Sequence, residues 1–347
     1  MAMKAVVKYA LGPGNVELRE VPEPSPGPRD VKIEVKAAGV CGSDVHLWHG
    51  EIGLAVRTPV IMGHEFSGVI AEVGNQVTRW KPGDRVTCET ARHVCGKCTN
   101  CRTGNYNICE EKQLIGYVFD GCFTKYILID EDRVHHLPDN VDFLAGAMTE
   151  PVASCTNGVL EKTPILPGDV VVLAGPGGIG LICMQLAKAA GGKIVLCGTS
   201  VDKDRLELGK KLGADYVVNV EQEDPRKLVD QLTNGEGAEV FLECSGAPPA
   251  VLMGLSLLRR GGKYTQIGLI GKAFPVAFDT IAYKELKVTG FLGQRWISWK
   301  RALSLMESGA INLNALITDV LPISQWEAAF KKHDAKSGIK LILTPED

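Results

Sequence analysis

The stretch that decides the fold is "DVVVLAGPGGIGLICMQLAKAAGGKIVLCGTS", Asp169 to Ser200. It opens with a continuous apolar run, "VVVLA". An uninterrupted run without polar alternation predicts a strand covered on both faces, as in a parallel sheet. A glycine turn follows, then a helical apolar segment, then a second strand. "GPGGIG", residues 175–180, fits G-x-G-x-x-G in the strand–turn–helix setting that gives the pattern its meaning. Gly175 permits the tight turn, and Gly177 lets backbone amides approach a pyrophosphate. Gly180 lets the helix pack closely on the strand. The helix start, with Gly178 and Ile179, then offers its partial positive charge to phosphates. Alone, such a motif is weak in a chain holding 39 glycines. Its setting makes it a dinucleotide site.

Downstream the alternation continues. Helix "DKDRLELGKKLGA", strand "DYVVNV", helix "PRKLVDQLT", strand "EVFLECSG", helix "PAVLMGLSLLRR" and strand "GKYTQIGLIG" follow in order. This is the pattern of a doubly wound Rossmann unit. It stops near Gly290, where "SWKRALSLMESG" reads as an amphipathic helix. The closing "GIKLILTPED" reads as a strand that returns to the first part of the chain. Upstream of residue 156 the texture is β-rich, with short strands such as "VKIEVKAAGV" and "FSGVIAEVG" separated by turns. The expected fold class is therefore α/β. A β-rich catalytic domain is expected over 1–155 and 290–347, and a nucleotide-binding domain over 156–289.

The adenosine ribose is expected to meet the end of the strand "KIVLCGTS". An Asp or Glu about 20 residues past the glycine turn would accept from the ribose hydroxyls. Thr199 stands there instead. Thr199 and Ser200 can donate to a phosphate, and Lys203 or Arg205 can supply charge. This favours NADP, with NAD the alternative, since a shift in the loop would bring Asp202 or Asp204 to the ribose.

The 347 residues carry a net charge of −3, which gives no sign of a nucleic-acid surface. No run of about 18 apolar residues suggests a membrane span. The first residues lack the apolar core of a secretory signal, so a cytoplasmic location is the default. Of 11 cysteines, four fall in "CGKCTNCRTGNYNIC", Cys95 to Cys109. Clustered cysteines in a chain of this kind point to metal rather than disulfides. Four thiolates fill zinc's tetrahedral shell, so Cys95, Cys98, Cys101 and Cys109 read as a closed, structural site. The other cysteines, Cys41 apart, read as small buried hydrophobes. A catalytic metal needs a mixed ligand set with one open position. Cys41 in "GVCGSDVH", His64 and Glu65 in "MGHEF" and Glu150 in "TEP" are candidates whose spacing does not by itself show that they converge.

These motifs, in this order, make the chain resemble the zinc-containing medium-chain dehydrogenase/reductase family over essentially its whole length. "GHEFSGVIAEVGNQV" looks like the family's zinc signature. The resemblance implies a GroES-like catalytic domain beside the Rossmann unit. It implies that Cys41 and His64 ligate the catalytic zinc. The alcohol dehydrogenases complete the set with a second cysteine; here that position resembles Glu150, as in the polyol (sorbitol) and threonine branches. Glu65 matches an acid that ligates zinc directly or through water. Ser43 matches the hydroxyl that bonds the substrate alcohol, and His46 a histidine that relays its proton to solvent. The implied chemistry is formation of a zinc-bound alkoxide, which passes hydride to NAD(P). A carboxylate ligand also leaves room for a polyol to bind through two oxygens.

The expected substrate is a small polyol or other secondary alcohol, with threonine 3-dehydrogenation the alternative. A substrate-binding arginine near the end of the nucleotide domain finds its nearest match in Arg295. A dimer or tetramer is expected from the family, with "FPVAFDTIAYKELKVTGF" a source of exposed strand. A zinc- and nucleotide-binding protein without turnover is the competing class. The intact set Cys41, Ser43, His46, His64 and Glu150 opposes it.

Overall fold

The structure is a computed structural model that describes residues 2–346. It divides into two compact units. One comprises Met1–Ala153, Gln294–Glu307 and Leu313–Asp347; the other comprises Ser154–Gly293 and Ser308–Asn312. The expected domain limits of 155 and 290 differ from these by a few residues. A larger difference is that 308–312 joins the second unit. Asn312 explains it: its backbone N–H donates to Gln185 Oε1 at 2.6 Å, and its carbonyl accepts from Gln185 Nε2 at 3.4 Å.

The second unit holds a six-stranded sheet that is parallel throughout. Strand Val170–Ala174 lies inside it with every residue buried, as its unbroken apolar run requires. Lys193–Gly198 and Tyr216–Asn219 lie to one side. Ala238–Glu243, Leu258–Gln266 and Lys287–Gly290 lie to the other. The order therefore reverses at Val170–Ala174, and ligands of such sheets bind at the strand ends beside this switch. Leu258–Gln266 begins earlier than "GKYTQIGLIG" suggests, taking Arg259 and Arg260 into the strand.

The glycine turn shows why its residues are small. Gly175 has φ +99°, and a Cβ there would lie 2.7 Å from the Ser245 backbone. A Cβ on Gly180 would overlap the Gly175 carbonyl oxygen. Gly177 differs: its missing Cβ would point into open space. The protein itself does not require glycine at 177, whereas a phosphate lying on the backbone would. Helix Gly178–Ala189 starts directly after it.

In the first unit the largest sheet runs, by strand, Val134–His136, Arg85–Cys88, Glu65–Val73, Asp30–Gly39, Lys340–Thr344 and Ile317–Pro322. Tyr126–Asp130 also pairs with Asp30–Gly39. The closing strand does return to this unit: Ile342 pairs with Gly39 and Leu343 with Ala38. Helix Trp296–Glu307 buries Trp299, Ala302, Leu303 and Met306.

Gly180→Ala should lower the melting temperature and cost about 1–3 kcal/mol through overpacking. Gly177→Ala should leave the melting temperature unchanged while weakening dinucleotide binding. Thermal unfolding with and without cofactor separates the two effects, and a melting temperature that falls equally in both variants would contradict this account of the turn.

Candidate active site

Cys41 follows strand Asp30–Gly39 and caps helix Gly42–His49. Its backbone N–H donates to Asp44 Oδ2 at 2.9 Å, which fixes the entry to the helix. His64 precedes strand Glu65–Val73, and Glu65 opens it. Two strands joined edge to edge thus bring these three residues together: Gly39 is the register partner of Glu65. The ligand atoms of Cys41, His64 and Glu65 all lie within 4.8 Å of one another. Sulfur, nitrogen and oxygen donors at such distances form a mixed set that suits zinc.

The partners of these ligands set their orientation. His64 Nδ1 lies 3.3 Å from Asp44 Oδ1, and Asp44 is fully buried. A carboxylate beside this imidazole would favour the tautomer protonated at Nδ1 and leave Nε2 for a metal. Burial pulls the His64 pKa down, but Tyr117 and Asp44 outweigh it and the net shift is upward. Asp44 is a site residue that the sequence reading missed, although its position three residues after Cys41 carried a capping-box signal. Ser43 Oγ lies 3.4 Å from His64 Nε2, beside the ligands. His46 is exposed and 3.6 Å from Glu51 Oε2, where a proton can pass to solvent.

The two remaining acids differ. Glu65 forms a buried ion pair with Lys340, whose ammonium also donates to the Val40 carbonyl at 2.9 Å. Burial lowers the Lys340 pKa, but Glu65 and Cys41 more than offset it and the net shift is upward. Glu150 stands outside the 4.8 Å group. One of its oxygens accepts from the Gln294 side-chain amide. Burial, then the charge of Glu65, push the Glu150 carboxyl up to about 7. One guanidinium nitrogen of Arg295 donates to Asn105 Oδ1 in the cysteine lobe at 3.3 Å. Gln294, which the sequence reading passed over, is the residue that reaches the site.

Cys95, Cys98, Cys101 and Cys109 gather with their sulfurs within 4.8 Å of one another. Backbone N–H groups point at these sulfurs: Cys98 to Cys95 and Cys101 to Cys98, both at 3.4 Å. The N–H groups of Cys98 and Lys97 lower the Cys95 thiol to about 7. Such donors favour thiolates, the form that binds metal. Outside the lobe, the cysteines other than Cys41 are buried, apart from the partly exposed Cys244.

In the second unit a cleft of about 680 Å³ runs past Gly175, Thr199, Asp202 and Glu221. Thr199 is engaged within its own turn. Its hydroxyl and its backbone N–H both donate to Asp202 Oδ2, at 2.9 and 3.1 Å. The Ser200 N–H donates to Glu221 Oε2 at 3.0 Å. Arg205 pairs with Asp202 at 3.4 Å.

Glu150 gives a pH test. Its ordinary pKa is 4.5, against about 7 in the folded chain. A raised carboxyl favours the folded state most below the lower value, and that contribution fades as pH rises through the higher one. Metal binding needs the ionised form. The zinc-induced rise in melting temperature should therefore grow between about pH 5 and pH 8, and Glu150→Gln should reduce that slope. Scanning fluorimetry with and without zinc measures it; an equal slope in both proteins would remove Glu150 from the metal site.

Known proteins show the same organisation. Residues 27–139 match the alcohol dehydrogenase GroES-like domain, and residues 178–308 match the zinc-binding dehydrogenase domain. The chain is 45% identical to a sorbitol dehydrogenase of Halalkalibacterium halodurans, over 99% of this chain and 100% of that one. It is 37% identical to a D-arabitol-phosphate dehydrogenase of Enterococcus avium, over 99% of each. Among solved structures, 2R,3R-butanediol dehydrogenase from Bacillus subtilis superposes with a TM-score of 0.90 at 30% identity, covering 99% of this chain and all of the other. With both domains matched and relatives aligned end to end, the chain belongs to the zinc-dependent alcohol dehydrogenase family, in its polyol and threonine dehydrogenase branch.

Proposed function

We propose that this enzyme oxidises a small polyol or other secondary alcohol, and reduces the matching ketone, with a nicotinamide dinucleotide as hydride carrier. The observation that carries the reading is the convergence of Cys41, His64 and Glu65 within 4.8 Å, next to Ser43 and an exposed His46. Cys41, His64, Glu65 and Glu150 would hold the catalytic zinc, and the four lobe cysteines a structural one. When bound, zinc supplies Lewis acidity and the dinucleotide takes up hydride. The chain's own groups do the rest. Asp44 holds the His64 ring, Ser43 accepts the substrate hydroxyl proton, and His46 releases it to solvent. The polyol relatives support the substrate class, since the chain matches them over their full length.

For the cofactor, the donors of Thr199 and Ser200 already serve Asp202 and Glu221. Two carboxylates at that end of the cleft suit ribose hydroxyls and repel a 2′-phosphate. This supports NAD, where Thr199 alone suggested NADP. For assembly, strand Lys287–Gly290 ends its sheet, with Phe278 and Tyr283 exposed nearby at 72% and 73%. An open edge with apolar neighbours supports a homodimer or tetramer built on it.

Turnover of a panel of sorbitol, arabitol, arabitol phosphate, 2,3-butanediol and threonine with each dinucleotide tests the reading through NAD(P)H absorbance. We expect polyol or diol turnover, with NAD preferred by about tenfold or more, which is about 1.4 kcal/mol. Threonine as the sole substrate would overturn the substrate class, and a preference for NADP would overturn the ribose assignment. Cys41→Ser should abolish turnover with the fold intact, whereas Cys98→Ser should lower the melting temperature. Activity surviving in Cys41→Ser would show the site to be misplaced.

A further inference from the structure

Two carboxylates, Glu65 and Glu150, stand near one metal site, and their partners differ in kind. Glu65 is 1% exposed and bound to the buried ammonium of Lys340. That cation cancels its charge. Glu150 has an uncharged partner, the amide of Gln294. Gln294 is itself 6% exposed, so both ends of its amide need partners. Its nitrogen donates to Glu150 Oε1, and its oxygen accepts from the Thr90 hydroxyl at 3.5 Å. In the ionised form that metal binding requires, the carboxylate only accepts and therefore faces the NH₂ end. An amide donor orients a carboxylate without neutralising it. Gln294 thus holds one oxygen of Glu150 and leaves the other unclaimed.

We propose that Gln294 is the positioning residue of the reaction centre: anchored by Thr90, it fixes one oxygen of Glu150 so that the other is presented to metal or substrate. The inference rests on the zinc-site reading above. It also assigns different roles to the acids. Glu65 stays among the three converging donors with Lys340 as its counter-ion, and Glu150 is the acid that Gln294 positions. The next residue extends the arrangement. Arg295 reaches Asn105 between Cys101 and Cys109, so successive side chains of one segment grip Glu150 and the cysteine lobe. The lobe thereby helps to set where Gln294 stands, although it takes no part in the chemistry.

The test uses Gln294→Met, which keeps the volume of the side chain and removes the donor. Full-length protein is stripped of zinc and titrated with zinc against a chelating dye, and kcat and KM are measured after reloading. We expect the lobe site to bind as in the parent. The second site should weaken by about 10–100-fold, the range for lost support of a metal ligand, and kcat should fall with KM changed less. Thr90→Val should move both quantities in the same direction by a smaller factor. In a Glu150→Gln background, Gln294→Met should have no further effect, because a positioning residue acts only through the group that it positions.

Second-site affinity and kcat within twofold of the parent would overturn the proposal. So would an undiminished effect of Gln294→Met in the Glu150→Gln background, which would indicate a packing role. If Gln294→Met does not fold, Thr90→Val and the isosteric but charged Gln294→Glu carry the comparison. Gln294→Glu sets a like charge against Glu150 and should weaken the second site further. A parent protein that binds one zinc per chain and turns over no alcohol would refute the zinc-site reading itself, an outcome distinct from any variant's failure.

Discussion

Lys340 and Glu65 meet in the interior of the first unit, 275 positions apart in the chain. Much of the site depends on that ion pair. The pair closes where strand Lys340–Thr344 lies beside Gly39, and a Cβ at Gly39 would run into the side chains of both partners. The missing side chain therefore makes the space for the pair. Leaving one member of a buried pair without its partner costs about 3–5 kcal/mol, so the last strand, the strand that leads to Cys41 and the strand that starts at Glu65 are held as one piece. Strand pairing and charge pairing support each other there. Neutralising Glu65 also limits the negative charge that gathers round Cys41, His64, Asp44 and Glu150.

The cysteine lobe is joined to its unit by polar groups rather than by a hydrophobic core. Tyr106 donates to Glu89 at 2.8 Å, and the same carboxylate receives Arg133 at 3.3 Å and His135 at 3.1 Å. His135 stacks on Trp299 with centroids 5.2 Å apart. Glu89 is 2% exposed, and its three partners satisfy both oxygens. The next residue, Thr90, turns to Gln294. Adjacent residues of one short segment thus serve the lobe and the reaction centre. A closed four-thiolate site fits this role, since it supplies rigidity in a loop with few large apolar side chains.

The second unit is simpler to explain. A buried parallel sheet, an order reversal and a glycine turn produce a cleft at the strand ends by geometry alone. Specificity within the cleft depends on finer contacts. Asp202 and Glu221 take up the donors of Thr199 and Ser200, and Glu243, fully buried, binds Ser245 and the Gly246 N–H in the loop against which Gly175 packs. None of these carboxylates has a motif of its own. Each acts through a hydrogen bond whose partner is decided by the local turn.

The doubly wound unit, the four-cysteine lobe and the zinc signature are all legible in one dimension. Each of these follows from neighbours in the chain: a run of apolar residues, a spacing, a glycine pattern. Cys41, His64 and Glu65 were legible as candidates for the same reason. The sequence did not show that they converge, because convergence depends on the register between strands far apart in the chain. It pointed to Arg295, while the structure turned that side chain to Asn105 and brought Gln294 to Glu150. Adjacent residues at the start of a helix face different ways, so a shift of one position changes which side chain enters the site. Asp44, Lys340 and Gln294 are ordinary polar residues in one dimension. Their roles emerge in three dimensions, because a buried charge or amide takes its function from the partner that satisfies it.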